Sequence, residues 1–168
     1  MLGDLEALDS IKPVMLRYEF DITIDSELGR EKPKLAQINI FTDGSKQTAG
    51  YVIMKGRCTL IHADSIALQR EATIFQPEAA AIHQAVTFVL ENYTEDIRFI
   101  RIFSDSQAVL LAIRNKFTTS EAVLDTKVHL NKLKAKANTI HVLWIKAHAV
   151  FNGNELADEY VCKNWSLE

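Results

Sequence analysis

The hydrophobic positions of the chain first alternate with polar ones, which predicts strands. Residues 16–25 alternate in this way and predict a half-buried strand. Residues 38–43 are apolar toward both faces, so we expect a strand inside a sheet. Strands at residues 51–55 and from 58 to about 68 follow, with a turn at residues 46–50. The pattern from residue 38 to about residue 68 therefore predicts three consecutive antiparallel strands.

The spacing then changes to that of helices. Pro77 suits the first turn of a helix, and Ile82 and Val86 continue its apolar face. The remaining elements are a strand at 97–103, a helix starting at Asp105 or Ser106, a helix capped by Ser120, a strand at 140–145 and a last helix capped by Asn154. A strand–helix–strand crossover joins parallel neighbours. The fold class is thus α/β, with a mixed five-stranded sheet of three antiparallel strands and then two parallel ones, covered by helices.

The 168 residues are 48% hydrophobic and 24% charged, as in an ordinary globular domain. We assign residues 37–168 to this domain and residues 1–36 to an N-terminal extension with a charged linker. We find no apolar run long enough for a membrane span and no signal peptide. Cys58 and Cys162 have neither metal-site nor disulfide spacing. We therefore expect an intracellular protein, nuclear or cytoplasmic, without a membrane partner.

The net charge of −3 argues against strong non-specific binding of nucleic acid, so any such role needs a local site. The most basic stretch is the one that contains Lys127, Lys132, Lys134 and Lys136. Such a run is also what the solvated face of an ordinary helix looks like.

Four acids fall at comparable places in these elements. Asp43 ends the first sheet strand, and Asp105 ends the strand predicted to be parallel to it. Glu78 lies in the first turn of a helix, and Asp158 near the start of the last one. Ligand sites in open α/β sheets lie beyond the carboxyl ends of parallel strands. Because carboxylates brought together repel, we expect a divalent cation among them, either Mg²⁺ or Mn²⁺.

Each acid also has a simpler interpretation. Asp43 could stabilise a turn, and Glu78 could complement a helix dipole. Asp105 could be a helix N-cap, and Asp158 a surface charge. Together these interpretations leave unexplained why several carboxylates converge.

Four segments resemble, in order and spacing, the four motifs of type 1 ribonuclease H over residues 36–164. They are Thr42-Asp43-Gly44-Ser45, Gln76-Pro77-Glu78-Ala79-Ala80-Ala81-Ile82, Phe103-Ser104-Asp105-Ser106-Gln107-Ala108, and Trp144 to Ala149 continuing through Gly153 to Glu159. The more specific resemblance is to the domain that follows reverse transcriptase in non-LTR (LINE-like) retrotransposon polyproteins. It implies an RNA/DNA hybrid as substrate and a reverse transcriptase domain in cis. No oligomeric state is predicted.

The resemblance implies Mg²⁺-dependent cleavage of the RNA strand, giving 5′-phosphate and 3′-hydroxyl ends. Two ions are implied, with Mn²⁺ as a substitute. Asp43 would bridge them, Glu78 and Asp105 would bind the ion nearer the leaving group, and Asp158 the ion that activates water. His148 would assist proton movement or product release. The implied substrate contacts are Gly44, Ser45, Gln76, Gln107 and Asn154.

The chain departs from the family pattern in several places. Ala147 stands where the family often has Gly, and Val150-Phe151 is bulky, so the His148 loop should be stiffer. No separate basic protrusion follows the Asp105 helix. Two other functions stay open: a non-catalytic scaffold or nucleic-acid-binding module on this fold, and a nuclease or transposase-like enzyme acting on DNA. The intact acids and His148 favour a hybrid-specific ribonuclease.

Overall fold

The computed structural model describes residues 10–17, 20–24, 38–44, 48–56, 59–67, 75–93 and 97–145. The strands in these ranges are β1 Ser10–Met15, β2 Asp21–Thr23, β3 Ile38–Gly44, β4 Thr48–Lys55, β5 Thr59–Ala67, β6 Ile97–Ser104, β7 Phe117–Ser120 and β8 Ala137–Trp144. The helices are α1 Phe75–Asn92, α2 Gln107–Arg114 and α3 Glu121–Lys136.

The main sheet contains the five predicted strands and one more. Its order is β2-β8-β6-β3-β4-β5. Strands β3, β4 and β5 are antiparallel neighbours, while β6 is parallel to both β3 and β8. The mixed α/β fold is confirmed. The parallel pairing of β3 with β6 brings their carboxyl ends to the same edge of the sheet.

Strand β3 is buried on both faces, as its apolar pattern predicts. Ile38 and Ile40 pack with the helices, whereas Phe41 packs in a second cluster on the other face. The rings of Phe41 and Phe103 stack there with centroids 4.9 Å apart. Burying each such side chain contributes about 1.5–3 kcal/mol to stability. The strand that carries Asp43 is therefore held firmly in the centre of the sheet.

The helices begin at the residues that the sequence favours. Pro77 lies in the first turn of α1, and the predicted apolar face is fully buried at Ile82, Ala85, Val86 and Val89. Ser106 caps α2 by accepting a hydrogen bond from the Val109 N–H, and Ser120 caps α3 by accepting one from Val123. None of the described helices is long and apolar enough to cross a membrane.

Several strand boundaries differ from the predictions. β4 begins at Thr48, within the predicted turn, because Ala49 pairs with Gly44 and extends the ladder. β8 begins at Ala137 instead of residue 140, since it continues to pair with β6. Among the described residues of the strand predicted at 16–25, Asp21–Thr23 forms β2, which pairs in parallel with β8.

The N-terminal extension also supplies β1, which the sequence did not predict. β1 forms a two-stranded antiparallel ribbon with β7, a strand between α2 and α3 that was likewise not predicted. Phe20, just before β2, is buried in the core of the main sheet. The division at residues 36 and 37 stays a prediction, and the extension contacts the domain at β1, Phe20 and β2.

Lys127 does not lie on a solvated helix face, which was one interpretation of the lysine-rich stretch. Its side chain is 0% exposed, and its ammonium donates a hydrogen bond to the Asn115 carbonyl that follows α2. Burial lowers the pKa of Lys127. Of the other three lysines, Lys132 and Lys136 are exposed and Lys134 bonds to the Asn138 carbonyl.

Candidate metal centre

Two parallel strand ends bring Asp43 and Asp105 together. β3 and β6 pair as far as Thr42 and Ser104, so each aspartate comes one residue after this last pair. The Thr42 hydroxyl donates a hydrogen bond of 2.9 Å to the Phe103 carbonyl, which ties the two strands together at this point. The predicted placement of the two acids at one edge of the sheet is therefore confirmed.

Glu78 reaches the strand ends because α1 starts directly against Gly44. A Cβ atom on Gly44 would lie 2.6 Å from the Glu78 nitrogen and 2.7 Å from the Pro77 carbonyl carbon. No side chain fits in that space. The Gly44 N–H in turn donates a hydrogen bond of 3.1 Å to Glu78 Oε1, which fixes the direction of the carboxylate.

The three carboxylates form one cluster. Carboxylate oxygens of Asp43, Glu78 and Asp105 all lie within 4.8 Å of one another, and of the three side chains Glu78 is the buried one. Burial, followed by the charges of Asp105 and Asp43, raises the pKa of Glu78 to about 8, although the Gly44 hydrogen bond opposes the change. Without a cation, the cluster relieves its repulsion by binding a proton.

The backbone around Asp105 is fixed by neighbouring side chains. The Trp144 indole Nε1 donates a hydrogen bond of 3.0 Å to the Asp105 carbonyl. On the other side, the Ser106 N–H donates to Ser104 Oγ at 3.2 Å. Ser106, not Asp105, caps α2, so the interpretation of Asp105 as a helix cap is wrong. Asp105 instead faces the acid cluster.

The donor set fits a hard divalent cation. Glu78 Oε2 is buried and has no hydrogen-bond partner among the described residues, which is costly for an ionised oxygen. The three side chains offer only carboxylate oxygens, the ligands that Mg²⁺ and Mn²⁺ prefer. A bound cation would remove both the like-charge repulsion and the unpaired oxygen.

Of the other predicted site residues, four lie outside the described ranges and two lie at the starts of helices. Ser45, His148, Asn154 and Asp158 lie outside the described residues. Gln76 is in the first turn of α1, although its side chain is not described, and Gln107 is exposed at the start of α2. Sequence reasoning missed the supporting roles of Thr42 and Trp144. Thr42 directly precedes Asp43, and Trp144 precedes the segment predicted to form the His148 loop. Their hydrogen bonds depend on strand register, which no local pattern specifies.

Comparison with known proteins agrees with this geometry. The family model described as RNase H matches residues 36–166. The chain belongs to the RNase H family. This confirms the RNase H part of the resemblance found in the motifs.

Solved structures support the same fold for this RNase H domain. RNase H1 of Halobacterium salinarum is similar with a TM-score of 0.55 and 18% identity, over 77% of this chain and 97% of that one. The N-terminal RNase H domain of a Mycobacterium tuberculosis protein, solved as a fusion with maltose-binding protein, has a TM-score of 0.57 and 18% identity. That match covers 76% of this chain and 96% of the other.

We expect Gly44→Ala to disrupt the site of this RNase H domain, because the new methyl group must push α1 away from β3. Overpacking of this kind typically costs about 1–3 kcal/mol of stability. The matched control is Gly50→Ala, since a Cβ there meets nothing closer than 3.9 Å. Thermal melts and Mg²⁺ titrations of both variants check this. Equal melting temperatures and equal Mg²⁺ affinities would show that α1 accommodates the methyl group.

Proposed function

We propose that this domain is a divalent-metal-dependent endoribonuclease that cleaves the RNA strand of RNA/DNA hybrids. The observation that carries the proposal is the cluster of Asp43, Glu78 and Asp105, in which the buried Glu78 Oε2 lacks a hydrogen-bond partner within the part of the chain that the structure describes. Membership of the RNase H family adds support. A domain that only served as a scaffold would have no need for three mutually repelling carboxylates where two parallel strands end.

Each residue of the cluster has a distinct place in this proposal. Asp43 would help to hold both of two Mg²⁺ ions, while Glu78 and Asp105 would hold the ion nearer the leaving group. Asp158, outside the described residues, would hold the other. When bound, two such ions stabilise the attacking and leaving oxygens of an in-line displacement. Mn²⁺ should substitute, because it accepts the same oxygen ligands.

The chain itself supplies orientation. The Gly44 N–H aims the Glu78 carboxylate, and the Trp144 and Thr42 hydrogen bonds fix the two strand ends that carry the aspartates. A preorganised cluster of this kind avoids reorganisation during the reaction. In the hydrolysis, a water oxygen bonds to phosphorus as the P–O3′ bond breaks. The products are a 5′-phosphate and a 3′-hydroxyl, which takes up a proton.

The wider setting forms part of the same proposal. We place the domain after a reverse transcriptase in a LINE-like polyprotein, in the nucleus or cytoplasm, where it would remove the RNA of newly made hybrids. The support is the finer motif resemblance.

The test is a panel of end-labelled RNA/DNA, RNA/RNA and DNA/DNA duplexes, each incubated with Mg²⁺ or with EDTA. We expect only the RNA strand of the hybrid to be cut, only with Mg²⁺, and with 5′-phosphate product ends. Cutting of the DNA/DNA duplex at a similar rate would indicate a DNA nuclease instead. Binding of the hybrid without any cleavage would indicate a non-catalytic module.

His148→Ala should slow turnover but leave Mg²⁺ binding largely unchanged. An imidazole with a pKa near neutrality suits proton transfer, whereas the carboxylate site holds Mg²⁺ without it. Loss of such a group typically costs roughly 10²–10⁴-fold in rate, and less where product release is limiting. Cleavage rates measured across Mg²⁺ concentrations check this. A steeply raised Mg²⁺ requirement with an unchanged maximal rate would instead make His148 a support of the metal site.

A further inference from the structure

Two large apolar side chains stand exposed opposite each other on the β1–β7 ribbon. Met15 is 61% exposed and Phe117 is 56% exposed, and the two residues pair in register. In the next pair, Val14 is half-buried and Thr118 is buried, so one face of the ribbon packs inward and the other faces solvent. An aromatic ring and a thioether side by side in water are a feature of binding surfaces.

Four exposed cations lie on or next to the same ribbon, and one exposed acid, Glu121, directly follows it. Lys12, Arg17, Arg114 and Lys116 are all exposed, and no acid occurs in residues 10–17 or 114–120. None of these four side chains forms a hydrogen bond or ion pair with another described residue. The two segments thus carry four cations in a chain whose net charge is −3. Charge complementarity favours a polyanion as the occupant of this surface.

The ribbon is fixed to the body of the domain. The Leu16 N–H donates a hydrogen bond of 3.0 Å to the Lys116 carbonyl, and Asn131 Nδ2 of α3 donates one of 2.8 Å to the Arg17 carbonyl. Inside the ribbon, Thr118 is buried and its hydroxyl bonds with Ser120. Its outer face is therefore held in a fixed position relative to α2 and α3.

An exposed stripe along α2 joins the acid cluster to the ribbon. Gln107, Leu111 and Arg114 are exposed and recur at helical spacing, starting two residues after Asp105. The eight residues of α2 span about 12 Å. At 3.4 Å per nucleotide along a strand, that is about four base pairs of a bound duplex.

We propose that the β1–β7 ribbon binds the unpaired strand that continues from the hybrid, about four base pairs from the acid cluster. The inference rests on the proposed function and extends it. Lys116 and its neighbouring cations contact phosphates, and Phe117 and Met15 pack against the face of an unpaired base. A single strand fits better than a duplex, because the bases of a duplex stack on each other and do not offer their faces to Phe117.

The test compares binding of blunt and extended hybrids by fluorescence anisotropy in EDTA, at low salt. The probes are a hybrid of about six base pairs, chosen so that one end lies near the ribbon, and the same hybrid with an unpaired extension of either its RNA or its DNA strand. For the wild type, we expect an extension to tighten binding about tenfold, as stacking on one aromatic residue does. The two kinds of extension show which strand the ribbon accepts.

Phe117→Ala and Met15→Ala should lose most of the gain from the extension while binding the blunt hybrid normally. Lys116→Ala should lower the slope of log affinity against log salt by about 0.7, the value for one phosphate contact on a single strand. The matched controls are Leu60→Ala and Lys55→Ala, an exposed apolar residue and an exposed cation. Lys55 is the last residue of β4, and Leu60 pairs with Met54 beside it. Both therefore lie at the end of β4 that is far from Asp43, so neither should change binding.

The ribbon inference is overturned if the extension adds no affinity in the wild type, or if Phe117→Ala behaves like Leu60→Ala with an unchanged melting temperature. It is also overturned if the ribbon substitutions change only self-association in sedimentation. Cleavage of the blunt hybrid in Mg²⁺ tests the proposed function separately. Cleavage without any gain from the extension defeats only the ribbon inference, whereas a Phe117-dependent gain without cleavage supports the ribbon and defeats the proposed function.

Discussion

Asp43→Asn is expected to abolish hybrid cleavage, with a loss of about a thousandfold or more, because it removes a charged ligand from the centre of the acid cluster. A metal ion supplies several kcal/mol of transition-state stabilisation, and each 1.36 kcal/mol corresponds to tenfold in rate. The fold should survive. In the absence of metal, the variant should even be more stable by about 1 kcal/mol, because one of the clustered negative charges is gone.

The measurement pairs cleavage rates with thermal melts at increasing Mg²⁺. Wild-type protein should melt at higher temperature as Mg²⁺ rises, since an ion that binds only the native state stabilises it. Asp43→Asn should show neither cleavage nor that rise. Asp64→Asn is the matched control, an exposed aspartate on β5 whose carboxylate accepts a hydrogen bond from the neighbouring Ser65 N–H. Wild-type rates in Asp43→Asn would refute the metal-site assignment.

Glu78→Gln is expected to make metal-free stability less dependent on pH and to weaken Mg²⁺ binding. The pKa of Glu78 rises from 4.5 to about 8 in the folded chain. Between these values, the native state holds a proton that the unfolded state has lost, so wild-type stability falls as pH increases from 4.5 to 8. This contribution amounts to a few kcal/mol at about 1.36 kcal/mol per pKa unit.

Glutamine keeps the oxygen that accepts the Gly44 hydrogen bond but does not titrate. The variant should therefore be more stable than the wild type at pH 8, and the difference should shrink toward pH 5. Saturating Mg²⁺ should remove most of the wild-type loss, because the cation takes the place of the proton. Denaturant melts at several pH values, with and without Mg²⁺, check this. Glu91→Gln, at an exposed position near the end of the same helix, is the control. If the free energy of unfolding changed with pH by the same amount in Glu78→Gln and in the wild type, the account would be contradicted.

The sequence predicted the central sheet and the acid cluster because both depend on strong local patterns. Strand β3 is apolar on both faces and ends in Asp43, and the crossover through α1 forces β6 to be parallel to it. Those two facts bring Asp105 beside Asp43. Pro77 and the apolar face of α1 then place Glu78 against the sheet. The choice of Ser106 over Asp105 as the helix cap could not be made in advance, since both residue types serve equally well.

Other features depend on distant partners that no local pattern reveals. β1 and β7 are short and become strands by pairing with each other, more than 100 positions apart in the sequence. Lys127 has the spacing of a solvated helix face, but its apolar stem is buried and its ammonium reaches a single carbonyl at Asn115. The β1–β7 ribbon and its neighbouring residues carry four exposed cations, whereas two of the four lysines in the lysine-rich stretch, Lys132 and Lys136, are exposed.

Anomalous X-ray scattering from crystals soaked in Mn²⁺ tests the central claim most directly, because it locates the cation without relying on activity. The account predicts a strong peak within coordination distance, about 2–2.5 Å, of carboxylate oxygens of Asp43, Glu78 and Asp105. The peak should be absent from soaked crystals of Asp43→Asn. No peak at these carboxylates in wild-type protein that cleaves hybrids under the same Mn²⁺ concentration would contradict the account.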